Sequence, residues 1–121
     1  MTKVRTHKDL DVWNKSVALV TSIYEITKDF PKDELFGLTS QIRRSAVSIS
    51  SNIAEGSARK GNREFVQFLY ISLGSMAELE TQLIIATNLK YIPSSKYEPI
   101  INDLTDIRKM LSGLIKYVRN R

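Results

Sequence analysis

The stretch "SNIAEGSARKGNREF", Ser51–Phe65, decides the fold. Residues of helical period precede it and follow it. Gly56 reads as a left-handed stop for the first of these segments, and Asn62 as a reasonable N-cap for the second. The stretch is therefore expected to be a tight bend between two long helices. It also sets Arg59, Lys60 and Arg63 just before and inside the first turn of the second helix. That end of a helix carries partial positive charge and favours carboxylates, so three cations there call for a reason.

Outward from the bend, four helices are expected. The first spans about Lys8 to Phe30, with Leu10, Trp13, Val17, Val20, Tyr24 and Thr27 on its inward face, and Pro31 stops it. The second runs from about Glu34 to Glu55 with Leu38, Ile42, Ile49 and Ile53 inward. The third continues from Asn62 to about Leu89, its stripe being Phe65, Phe68, Leu69, Ser72, Met76, Leu79, Leu83 and Ala86. The fourth begins at Ser95, where Ser95 and Glu98 have capping-box spacing. Its stripe is Ile100, Ile101, Leu104, Ile107, Leu111, Leu114, Ile115 and Val118. No period-two alternation marks a strand. Connections of roughly four to seven residues suit antiparallel neighbours, so residues 1–121 read as one all-α domain, an up-down-up-down four-helix bundle.

Two helices carry more apolar surface than such a bundle needs. In the third, Tyr70, Gly74, Ala77, Thr81 and Ile85 form a second stripe opposite the core. In the first, Val12, Leu19, Ile26 and Phe30 do the same. A glycine inside a helix costs about 1 kcal/mol relative to alanine, and Gly74 reads as a place where another backbone approaches. The third-helix stripe is the expected interface of a homo-oligomer; the plainer alternative is tight packing within one chain.

The chain carries a net charge of +5. In the expected topology both termini and the central bend share one end. That end gathers Lys3, Arg5, Lys8, Arg59, Lys60, Arg63, Lys116, Arg119 and Arg121 against Asp9, Asp11, Glu55 and Glu64, so it holds the whole excess. Cations in the last turn of the fourth helix complement its dipole, but those at the start of the third oppose it. A phosphate ligand would remove the conflict, because free N–H groups at a helix start also bind anions. Arg43 and Arg44 form a separate pair with a lesser claim to a ligand role, a solvated face being the ordinary reading. Aromatic residues do not interleave with the basic clusters in sequence. Contact to backbone and shape is expected rather than base stacking.

The sequence shows no catalytic site. His7 is the sole histidine and there is no cysteine. This excludes disulfides and thiolate metal sites and fits a reducing cytoplasm. No Glu-x-x-His pair, P-loop or dinucleotide fingerprint occurs. Glu78 and Glu80 point to different faces of one helix and make a poor carboxylate dyad. No apolar run is long enough to span a membrane, and the basic start has no apolar run after it to make a secretion signal. A non-enzyme without metal or cofactor is expected.

"SSNIAEGSARKGNREFVQFLYISLGSMAELETQL" also resembles a known family. With "DLDVWNKS" near the start and "QIRRSAVSISSNIAEG" in the second helix, it is similar to small bacterial four-helix-bundle proteins encoded in intervening sequences of large-subunit ribosomal RNA genes, often labelled S23-like. The residues carrying the likeness are Ser51–Gly56, Arg59, Phe65, Phe68, Leu69, Gly74, Ser75 and Glu78. The resemblance implies an up-down bundle and homo-oligomerisation, commonly as a pentamer. A protein of similar fold, the accessory subunit of diversity-generating retroelements, binds nucleic acid through basic surface and partners a reverse transcriptase. The basic pole and the expected oligomer together point to a homo-oligomer that binds nucleic acid, the alternative being an oligomeric scaffold or accessory subunit, for example of a reverse transcriptase. The basic residues at the chain ends are not part of the shared pattern.

Overall fold

The structure is a computed structural model that describes residues 6–121; of Asp9 only the backbone is described. Lys3 and Arg5 lie outside the described residues. Four helices carry the fold: α1 (Asp11–Thr27), α2 (Leu38–Ser57), α3 (Asn62–Asn88) and α4 (Ser94–Asn120), with short 3-10 turns at His7–Asp9 and Lys32–Glu34. No strand occurs among the described residues. Consecutive helices pack side by side, α4 closes back on α1, and the backbones of the diagonal pairs stay apart. Cross-links fix the antiparallel order. Arg43 Nε donates to Thr27 Oγ1 (2.9 Å), Ser45 Oγ to Gln82 Oε1 (2.9 Å), and Asn62 Nδ2 to the Arg121 carbonyl (3.1 Å).

The core is a column of aliphatic side chains. Ile23, Ile42, Ile49, Ile53, Leu69, Met76, Leu79, Leu83, Leu104, Ile107 and Leu111 are fully excluded from water. Each is worth roughly 1.5–3 kcal/mol relative to exposure. The inward stripes expected for the second, third and fourth helices are the ones buried or half-buried.

The first helix is turned relative to expectation. Val12, Ser16, Leu19, Ile23 and Ile26 face the core, whereas Val17 and Tyr24 are exposed. The buried set keeps strict steps of three and four, but Ser16 interrupts it with a polar residue. Its hydroxyl is neutralised by a bond to the Val12 carbonyl at 2.6 Å, which lets the helix bury it.

Several helix ends also differ from the sequence reading. The second helix starts at Leu38 rather than Glu34, because a 3-10 turn and Gly37 intervene. The first connection, residues 28–37, is therefore longer than expected. Glu34 instead caps α2 from outside: its Oε1 accepts the Leu38 N–H (3.2 Å), and its Oε2 accepts the Tyr91 hydroxyl (3.0 Å). Ser95 and Glu98 form no capping box; α4 begins at Ser94 behind Pro93, without a side-chain cap. Asn62 is the first residue of α3, not its cap, and its amide reaches Arg121 instead.

Gly56 is not a left-handed stop. It is buried inside α2, and no glycine has positive φ. A Cβ there would lie 2.7 Å from Phe68 Cβ and 3.0 Å from Phe65 Cδ1, so the absence of a side chain lets α2 and α3 close on each other. The left-handed C′ position that does occur belongs to Lys90 (φ 67°). There the Tyr91 N–H bonds to the Ala86 carbonyl and the Lys90 N–H to that of Thr87, a Schellman ending for α3.

Candidate nucleic-acid interface

The bond between Asn62 and Arg121 builds the basic pole. Asn62 Nδ2 takes the Arg121 carbonyl, and Arg121 Nε returns a bond to Asn62 Oδ1 at 2.8 Å. The end of α4 is thereby fastened to the bend between α2 and α3. Arg59, Lys60, Arg63, Lys116, Arg119 and Arg121 are all exposed around this junction.

The six cations divide into two groups. Three arginines are held. Arg59 pairs with Glu55 (2.8 Å) and lies over the Phe68 ring at 4.9 Å. Arg119 donates to the Tyr70 hydroxyl (2.8 Å) with its guanidinium 5.9 Å from that ring, and Arg121 lies 5.7 Å from the Phe65 ring. Lys60, Arg63 and Lys116 have no side-chain partner among the described residues. Surface pairs such as Arg59–Glu55 contribute little stability. The ring contacts place the held guanidiniums without using up their N–H donors.

The rings correct the sequence reading. Phe65, Phe68 and Tyr70 do not alternate with the arginines along the chain, yet packing of α3 against α4 and the bend sets each ring beside one. Tyr70 moves with them. Expected at an oligomer interface, it is bonded to Arg119 and so belongs to the pole as well as to the outer stripe. Arg63, Gln67 and Tyr70 recur at steps of four and three, which sets them on one face of α3.

Arg43 and Arg44 do not join this pole. Arg43 is tied to α1 through Thr27 and lies 4.5 Å over the Tyr24 ring. Arg44 is exposed beside a polar groove between α2 and α3 lined by Ser45, Ser48, Ser75, Glu78 and Gln82. Gly74, Ala77, Thr81 and Ile85 are exposed on the outer face of α3. A Cβ at Gly74 would meet nothing within 4 Å, so close approach within this chain does not explain that glycine.

Residues 8–113 match the family described as 23S rRNA-intervening sequence protein. The chain belongs to that family. Among solved structures, the intervening-sequence protein is similar to a protein of unknown function from the S23 ribosomal protein family of Bacteroides thetaiotaomicron VPI-5482. The two share 33% identity and superpose with a TM-score of 0.80, over 87% of this chain and 98% of the other. No protein of curated description matches the sequence. The four-helix architecture expected from the residues is thus also that of the intervening-sequence family. No helix among the described residues is long and apolar enough to cross a membrane.

Proposed function

We propose that this intervening-sequence protein is a non-catalytic, cytoplasmic homo-oligomer that binds the phosphate backbone of nucleic acid through its basic pole. The observation that carries the reading is the junction of the bend with the end of α4, which gathers the exposed Lys60, Arg63 and Lys116, unpaired among the described residues, beside three positioned arginines. A polyanion supplies the missing partner, and neutralising its phosphates releases counterions.

The oligomer is supported by the outer stripe of α3. Gly74, Ala77, Thr81 and Ile85 are exposed; the first three are small enough for close approach of a second copy, and Ile85 adds apolar surface to bury. Repetition of the pole around an oligomer axis turns a weak site into an effective one. The resemblance to pentameric relatives makes five subunits the expected number. Filter binding in rising salt tests the reading, with light scattering for the mass. Steep loss of affinity with salt is expected; a flat response, or no binding at low salt, removes it.

A second reading is a scaffold for a protein partner, for instance as an accessory subunit of a polymerase. It rests on Phe36, which is 93% exposed at the other end of the bundle beside the half-exposed Leu35. Pull-down with and without nuclease separates the two: a partner retained after nuclease favours the scaffold.

A further inference from the structure

We infer that the cleft between the start of α3 and the end of α4 takes one unstacked base of a single-stranded nucleic acid. The base lies on Tyr70, and the neighbouring phosphates lie against Arg63 and Arg119. This rests on the polyanion reading of the pole and goes further by naming the strand state it selects.

The cleft has a volume of about 480 Å³ and is lined by Asn62, Arg63, Val66, Gln67, Tyr70 and Arg119. That lies within the range of small-ligand clefts, roughly 300–1,000 Å³. Its walls are Val66 and the Tyr70 ring, and its rim is cationic. Tyr70 is half exposed, and its hydroxyl accepts a bond from Arg119 Nη2 at 2.8 Å, with the guanidinium 5.9 Å from the ring centroid, so the ring is tethered and half of its surface stays open. An exposed aromatic face held in one orientation beside cations is the arrangement on which single-stranded bases stack. Gln67 is exposed, and its amide has no partner among the described residues, leaving a donor and an acceptor for a base edge. Arg63 is likewise unpaired. Charge complementarity chooses the occupant: an apolar protein segment would leave Arg63 without a counter-charge, whereas a nucleotide supplies both a ring and a phosphate.

A duplex keeps its bases stacked inside and offers only phosphates to the pole. Tyr70 should therefore matter for single strands and not for duplexes, while Arg63 matters for both. The test is fluorescence anisotropy of the full chain with a labelled oligothymidylate and with a hairpin duplex of equal phosphate number, at one low salt concentration. Tyr70→Ala is expected to weaken single-strand binding about tenfold and duplex binding by less than about twofold. Tyr70→Phe keeps the ring but loses the bond to Arg119, so it should lose less single-strand binding than Tyr70→Ala and leave duplex binding within about twofold of wild type. Arg63→Ala should weaken both alike.

Two results overturn the inference: an unchanged single-strand to duplex ratio in Tyr70→Ala, whether from no loss or from an equal loss on both probes, or a fall in the light-scattering mass of that variant, which would put Tyr70 in a subunit contact. If wild type binds both probes but Tyr70→Ala leaves the ratio unchanged, only the base site fails. If wild type binds neither, the reading of the whole pole fails with it.

Discussion

The two ends of the bundle handle charge in opposite ways. The end formed by the first and third connections holds Lys28, Lys32, Lys90 and Lys96 with Glu25, Asp29, Asp33, Glu34 and Glu98, so the signs nearly balance, although Lys28 with Glu25 at 3.0 Å is the one ion pair there among the described residues. Glu34 is fully engaged there: one oxygen caps α2 and the other takes the Tyr91 hydroxyl, whose ring lies 5.4 Å from that of Phe30. Gly37 leaves room for it, since a Cβ there would sit 2.9 Å from Glu34 Oε1. At the other end, rings and polar groups also meet, but Arg59, Lys60, Arg63, Lys116, Arg119 and Arg121 outnumber Glu55 and Glu64. One end uses its charge to close the fold. The other keeps charge facing outward, which is what a surface for an anionic partner requires.

That contrast can be broken most forcefully at the basic end. Replacing Lys60, Arg63 and Lys116 together by Glu should remove most nucleic-acid affinity at low salt. Their replacement by Ala should reduce the slope of log affinity against log salt by about two to three. Circular dichroism should be unchanged, because none of the three has a side-chain partner among the described residues. Loss of helix in these variants would mean that the charges do structural work.

Next in size is Gly56→Ala. Overpacking between α2 and α3 should destabilise the bundle by about 1–3 kcal/mol, read from urea unfolding. A neutral result would mean that Phe65 and Phe68 can move aside.

The balanced end is sharpened by Glu34→Ala, which removes the α2 cap and the acceptor of Tyr91. A loss of about 1–2 kcal/mol is expected by the same unfolding measurement. Tyr91 adds a pH signature. The bond to Glu34, then burial, then the nearby Glu34 and Asp33 charges raise its pKa above the ordinary 10.0. A raised folded value means that this contribution is present below the unfolded pKa and is lost as pH climbs through the folded one. The urea midpoint should therefore fall on going above about pH 10 more steeply in wild type than in Tyr91→Phe. The smallest effect is Lys90→Gly. The left-handed C′ position favours glycine, so stability should rise by up to about 1 kcal/mol.

The periodic part of the fold was legible in the residues because apolar spacing of three and four survives in α2, α3 and α4 with few interruptions. In α1 one serine at a core position shifted the apparent phase, and only the Ser16–Val12 bond shows why burial is tolerated. The helix ends were less legible because their partners are distant in sequence. Asn62 looks like a cap until Arg121 claims it, and Gly56 looks like a stop until Phe65 and Phe68 press on it. The basic pole could be anticipated from topology, whereas its aromatic component could not. A guanidinium from α4 and a ring from α3 meet only once the helices have packed.

The seam that Gly56 permits bears on the order of assembly. α2 and α3 are joined by only residues 58–61 and share the most extensive contact in the bundle. Closing so short a loop loses little chain entropy, and it brings together the largest shared surface. This hairpin is therefore the natural nucleus, on which α1 and α4 settle afterwards. A methyl group at position 56 should then retard refolding more than it hastens unfolding.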